Sequence, residues 1–185
     1  MLVDPDLKEI VSGQRGMLRG VDACVQTQCL VSAVALIYSM IDALSALTRP
    51  IKQADTDNKV FTAWVKEYID PENRLRCTAI DLYGARCGVV HNYGSDSRKR
   101  REGKAKALIY KWRNGPDPDP NRELPLPKDA IILIVEDLRD ALEHGINSFF
   151  AAMEKDPELK KRVDHHRKEL LCYKPWTSIS IHVAA

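Results

Sequence analysis

Cys29-Leu-Val-Ser-Ala-Val-Ala-Leu-Ile-Tyr-Ser-Met-Ile-Asp-Ala-Leu-Ser-Ala-Leu47 is the longest apolar run in the chain. Its apolar residues cover most of a helical circumference, so the helix expected over residues 21–48 is buried on several sides. Arg49-Pro50 stops it, because proline lacks an amide hydrogen and clashes with the preceding turn. Asp42 and three serines (Ser32, Ser39, Ser45) interrupt the run, which favours a core helix over a membrane span. One stripe differs from the rest. Ser32, Ala35, Ser39, Asp42 and Ala46 recur at spacings of three and four, small enough to admit a second helix closely, with Asp42 projecting into the contact.

Other helices follow from similar signals. Asp57 or Asn58 caps a helix over 59–69, closed by Asp70-Pro71. A second is expected from near Glu72 through Leu75, Ile80, Leu82, Val89 and Val90 to His91, with Gly94 as its left-handed exit. Residues 136–154 repeat apolar positions at Leu138, Leu142, Ile146, Phe149 and Met153, and Pro157 opens a last charged helix to about Leu171. Between them, Ala107-Leu-Ile-Tyr-Lys-Trp112 favours a short strand. Ile131-Ile-Leu-Ile-Val135 reads either as the return strand of a hairpin or as the first turn of the next helix. The expectation is an all-α bundle of about five helices, with at most a small β-hairpin near 107–135.

At 185 residues the chain suits one domain, 1–185, with a core over about 20–155 and a C-terminal helix and tail over 156–185. Five prolines mark 114–128 as a surface loop. The five cysteines (Cys24, Cys29, Cys77, Cys87, Cys172) form no Cys-x-x-Cys pair, which fits a reducing cytoplasm. Residues 1–20 carry charges throughout, unlike a secretory leader. Basicity is concentrated: residues 98–113 hold eight Lys or Arg and one acid, +7, against a whole-chain charge of +2 and hence −5 elsewhere. Arg98, Lys99, Arg100, Arg101 and Lys104 are therefore candidates for a track along a phosphate backbone, and equally for a solvated face. Tyr110 and Trp112 suit core packing better than base stacking.

Arg86-Cys-Gly-Val-Val-His91-Asn-Tyr93 places a guanidinium and an imidazole at the end of an otherwise apolar helix. Such neighbours are costly there, and together they provide a fixed positive charge for phosphate and a proton carrier. On a straight helix the two lie about 140° and about 7.5 Å apart, while Tyr93 falls two turns after Arg86. A second copy of the helix facing them would close a shared cleft. The plain alternative is a satisfied structural arginine and histidine. Asp42 has two readings as well: a hydrogen-bonded structural acid, or a partner that orients His91 or pairs with Arg86. Neighbouring side chains of an adjacent pair such as His165 and His166, with Asp164, diverge and do not make a metal site. No glycine-rich phosphate loop, zinc spacing or serine elbow occurs.

Arg-x4-His-x-Tyr, carried by Arg86, His91 and Tyr93, resembles the signature of HEPN domains, in the form found in ribonuclease toxins paired with minimal nucleotidyltransferase antitoxins. The helix around Ile41-Asp42-Ala43 and the lead-in Asp81-Leu-Tyr-Gly-Ala resemble the family's surroundings over about 20–155. The resemblance implies a helical bundle acting as a homodimer and cleaving RNA without metal or other cofactor. Arg86 would stabilise transition-state charge and His91 would move the proton. Asp42 and Asn92 would assist, and Tyr93 would be open to AMP modification by a nucleotidyltransferase-type antitoxin. One position departs from the pattern: the residue after the arginine is often polar in active members and here is Cys87. That departure favours the alternative, a non-catalytic module that binds nucleotide or RNA or mediates dimerisation.

Overall fold

A computed structural model describes residues 5–72, 74–92, 97–115 and 127–170. The chain is mostly helical. Two short helices, α1 (Pro5–Ser12) and α2 (Met17–Gln26), precede the long α3 (Leu30–Leu47). Next come α4 (Asn58–Trp64), which widens into a π-helical turn (Val65–Ile69), and α5 (Ala79–Asn92). A one-turn helix, α6 (Arg98–Arg101), leads to strand β1 (Leu108–Lys111). Strand β2 (Ile131–Ile134) runs directly into α7 (Val135–Lys155), followed by α8 (Pro157–His166) and a 3-10 turn (Arg167–Glu169).

The helix α3 is the hub, packing against α2, α4, α5, α7 and α8. It is long and apolar enough to cross a membrane, but half of it is buried inside the fold, as a core helix requires. The single helix expected over 21–48 is in fact two. The break follows a Schellman arrangement, in which the Cys29 amide donates to the Cys24 carbonyl (2.8 Å) and the Gln28 amide to Val25 (3.1 Å). Gln28 takes the left-handed conformation (φ 54°), and the Thr27 hydroxyl donates back to the Ala23 carbonyl at 2.7 Å. These local bonds satisfy the end of α2, so the apolar pattern continues across a kink that periodicity does not register. The buried cluster also draws in Leu7 and Val11 from α1 and Leu159 and Val163 from α8.

Asp57 caps α4 as its sequence implied, its carboxylate accepting from the amides of Lys59 (2.9 Å) and Val60 (3.0 Å). Asp156 does the same for α8, with Pro157 in the first turn. The helix expected from Glu72 begins only at Ala79. Pro71 follows Asp70, and the Asp70 carboxylate captures the amides of Arg74 (2.6 Å) and Leu75 (3.1 Å) ahead of α5. Thr78 and Asp81 then start α5 as a reciprocal cap: Asp81 accepts from the Thr78 amide (2.8 Å) and hydroxyl (2.6 Å), and the Asp81 amide donates to the Thr78 hydroxyl (3.3 Å).

The hairpin expectation is overturned, because β1 and β2 pair in parallel, Leu108 opposite Ile131 and Lys111 opposite Ile134. Both segments are strands, and the open reading of 131–135 resolves as strand up to Ile134 and helix from Val135. A parallel pair needs a crossover of a dozen or more residues, and 112–130 supplies that length. The proline-rich stretch within it lies mostly outside the described residues, as does the Gly94 exit. Tyr110 and Trp112 both pack against the core, and the Tyr110 hydroxyl meets that of Tyr38 on α3 at 2.6 Å. Burial raises both phenols far above their ordinary range and pushes the neighbouring Cys77 thiol up to about 12.

Candidate functional site

The positions on α5 that are neither buried nor fully exposed are Ile80, Tyr83, Arg86, Cys87 and Val90, spaced as one stripe of the helix. Arg86 lies on one margin of that stripe. Helical register puts position 91 one turn beyond Cys87, on the opposite margin. The backbones of His91 and Asn92 belong to α5, whereas Tyr93 lies outside the described residues.

Asp42 of α3 pairs with Arg86 of α5, the two side chains retaining 28% and 19% of their exposure. Of the partners the sequence offered for Asp42, the structure shows Arg86; the side chain of His91 lies outside the described residues. A second guanidinium nitrogen, Nη1, points at the Cys87 sulfur at 3.9 Å, and Nε is buried with no hydrogen-bond partner among the described residues. Burial alone would disfavour the charge on Arg86, but the hydrogen bond and charge of Asp42 outweigh it and raise the guanidinium above its ordinary value. Arg86 therefore stays cationic throughout the physiological range. Tyr83, three residues earlier, packs edge-on against Phe61 with centroids 5.4 Å apart. Burial first, then the neighbouring Cys87, raises its phenol, so it remains protonated and able to donate. Tyr83 was not singled out as a site residue, although its helical spacing from Arg86 and Cys87 is legible in the sequence.

The stripe of small residues on α3 is open over part of its length. Ser32 and Ser39 are exposed, Ala35, Asp42 and Ala46 are half-buried, and Val31 (52%) and Leu36 (40%) expose apolar surface beside them. At Asp42 the stripe meets α5 of the same chain through Arg86, as a stripe that admits a second helix implies, while Ser32 and Ser39 stay exposed. The Asp42–Arg86 pair thus lies where half-open stripes of two helices meet.

Two features hold the basic segment against α5. The second carboxylate oxygen of Asp81 accepts from the Lys106 amide at 2.6 Å. Gly84 lies so close to Ala105 that an added Cβ would stand 2.9 Å from the alanine side chain. Within the segment, Ser97 caps α6, Arg98 and Arg101 are exposed, and Lys99 and Arg100 are half-buried. Glu102 takes Lys104 (2.9 Å) and Arg98 (3.4 Å) as partners, and the Lys104 bond is the main reason its carboxyl sits below the ordinary range. The block of 98–113 is not one surface. Arg113 turns instead to α7, pairing with Asp137 and donating its amide to Glu136.

His165 and His166 form an edge-on ring pair 4.8 Å apart, His166 buried and His165 exposed. Among the described residues no three His, Cys, Asp or Glu side chains are placed to share a metal ion. Cys24, Cys29, Cys77 and Cys87 are all free thiols. Comparison of the chain with protein-family models, with curated proteins and with solved structures finds no match.

Proposed function

We propose that this chain is a metal-independent endoribonuclease of HEPN type, a toxin or defence effector that works as a homodimer. The observation that carries the reading is the cationic Arg86, steadied by Asp42 from a second helix, on one margin of a half-open stripe whose other margin is the position of His91. Fixed positive charge on a preformed frame is what a phosphorane-like transition state requires, since it costs no reorganisation when the charge develops. In this scheme His91 takes the proton from a ribose 2′-hydroxyl, whose oxygen attacks the adjacent phosphorus. The phosphorus–O5′ bond breaks, the 5′-oxygen is protonated as it leaves, and a 2′,3′-cyclic phosphate remains. Asn92 assists beside His91. Arg98, Lys99, Arg100, Arg101 and Lys104 steer the RNA backbone through charge that salt screens. The exposed part of the α3 stripe, Ser32 and Ser39, supports association of two copies on this face, and Tyr93 is the position at which a nucleotidyltransferase-type antitoxin would attach AMP.

A second reading, a non-catalytic module that binds nucleotide or RNA, is favoured by one specific feature. The charge of Arg86 is already matched by Asp42, and its other neighbour is a thiol rather than a strong polar group. Incubating the purified chain with structured and unstructured RNA, with and without chelator, separates the two. The nuclease reading expects cyclic-phosphate ends that persist in chelator, and a loss of about a hundredfold or more in Arg86→Ala and in His91→Ala. RNA left intact by the unaltered chain under all conditions removes that reading, and nucleotide binding lost in Arg86→Ala would then support the second.

A further inference from the structure

The break between α2 and α3 brings Cys24 and Cys29 together. On one unbroken helix, positions five apart lie about 7.5 Å apart along the axis and about 140° around it, too far for two sulfurs to join. The break changes that distance. The Cys29 amide donates to the Cys24 carbonyl at 2.8 Å. A Cα stands about 2.4 Å from its own carbonyl oxygen and about 1.5 Å from its own nitrogen, so these two Cα atoms are at most about 6.7 Å apart. Bridged cysteines span about 4.4–6.8 Å. The two positions are also those whose side chains meet in a Schellman arrangement.

The thiols differ in access. Both are free, Cys24 half-buried and packed against the core, Cys29 exposed. The Cys29 sulfur lies 3.5 Å from the Thr27 hydroxyl, and that hydroxyl lies 3.5 Å from the Cys24 carbonyl, so the sulfur sits over the end of α2. Neither cysteine belongs to the Asp42–Arg86 site, and the inference stands without the nuclease reading.

We infer that Cys24 and Cys29 form a redox-reactive dithiol, which closes to an intramolecular disulfide by exchange with a small-molecule disulfide such as oxidised glutathione. The accessible Cys29, as thiolate, attacks one sulfur of the small disulfide, whose S–S bond breaks to release one small thiol. Cys24 then attacks the Cys29 sulfur, and the mixed disulfide breaks to release the second. Two protein thiols are oxidised and one small disulfide is reduced to two thiols, which carry the two protons. The bridge fastens the break covalently at the head of the helix that bears Asp42.

The full chain, equilibrated with mixtures of reduced and oxidised glutathione, quenched with an alkylating agent and digested with trypsin, tests this by mass spectrometry. Both cysteines fall in one tryptic stretch, 20–52, which holds no other cysteine. That stretch is expected to escape alkylation and to be lighter than the dithiol by two hydrogens. Cys24→Ser should instead retain glutathione on Cys29, lacking the thiol that displaces it. The bridging constant should be about tenfold higher in native buffer than in concentrated urea, since the fold is what holds the pair within reach. A constant in native buffer no higher than in urea overturns the inference. Glutathione remaining on Cys29 of the unaltered chain overturns it too, as does a bridge from either cysteine to Cys77, Cys87 or Cys172.

Discussion

Around Gly145 the molecule is sealed, and around Arg86 it is not. In the first region Trp64, Tyr68, Phe149 and Phe150 meet with ring centroids 5.4–5.9 Å apart, Trp64 and Phe149 almost wholly buried. The helix α7 approaches so closely that a Cβ on Gly145 would stand 2.9 Å from the Tyr68 carbonyl oxygen. There, burial of aromatic area accounts for the arrangement apart from Trp64 Nε1, which is buried without a hydrogen-bond partner among the described residues. In the second region a charged pair is held half-buried between α3 and α5, and Val31 and Leu36 are partly exposed further toward the start of α3. An ion pair in that position contributes little that apolar packing would not, because desolvation offsets much of the attraction. The contrast separates residues placed to hold the fold from residues whose placement the fold tolerates.

That separation can be broken most forcefully at the sealed region. Phe149→Ala is expected to lower unfolding free energy by about 3–5 kcal/mol, read from urea titration. A loss under about 1 kcal/mol would mean that the aromatic cluster is not the tight core described. Next in size is the pair. Asp42→Ala and Arg86→Ala should each cost about 1–3 kcal/mol, since each leaves a partly desolvated charge without its partner, and the double variant should cost less than the sum. Strict additivity in that cycle would show that the two side chains do not interact in solution. The smallest effect concerns neither region but the break between α2 and α3. Gln28→Gly removes the side-chain penalty of the left-handed conformation and should raise stability by about 0.5–1 kcal/mol. A decrease would place Gln28 outside that conformation.

Legibility in the sequence followed the range of the forces involved. Caps written within three residues, Asp57 for α4 and Pro157 for α8, were readable because donor and acceptor are neighbours in the chain. The end of α2 was not, because Thr27-Gln28-Cys29 keeps the apolar rhythm while its backbone bonds reverse the helix. The delayed start of α5 was hidden by Leu75, an apolar residue buried from a turn rather than from a helix. Parallel pairing of β1 and β2 depends on where the crossover runs, which alternation within four-residue strands does not encode. At the site, Arg86 and Asp42 were both visible as charges in apolar surroundings. Their pairing was one of two options until the packing of α3 on α5 was known.

Asp81 does two jobs with one carboxylate: it initiates α5 and it receives the Lys106 amide, twenty-five positions further on. A local nucleation signal and a long-range tether thereby share one carboxylate. The helix that presents the guanidinium and the arm that bears the cationic cluster are thus coupled through one side chain, and loss of the Asp81 carboxylate weakens both.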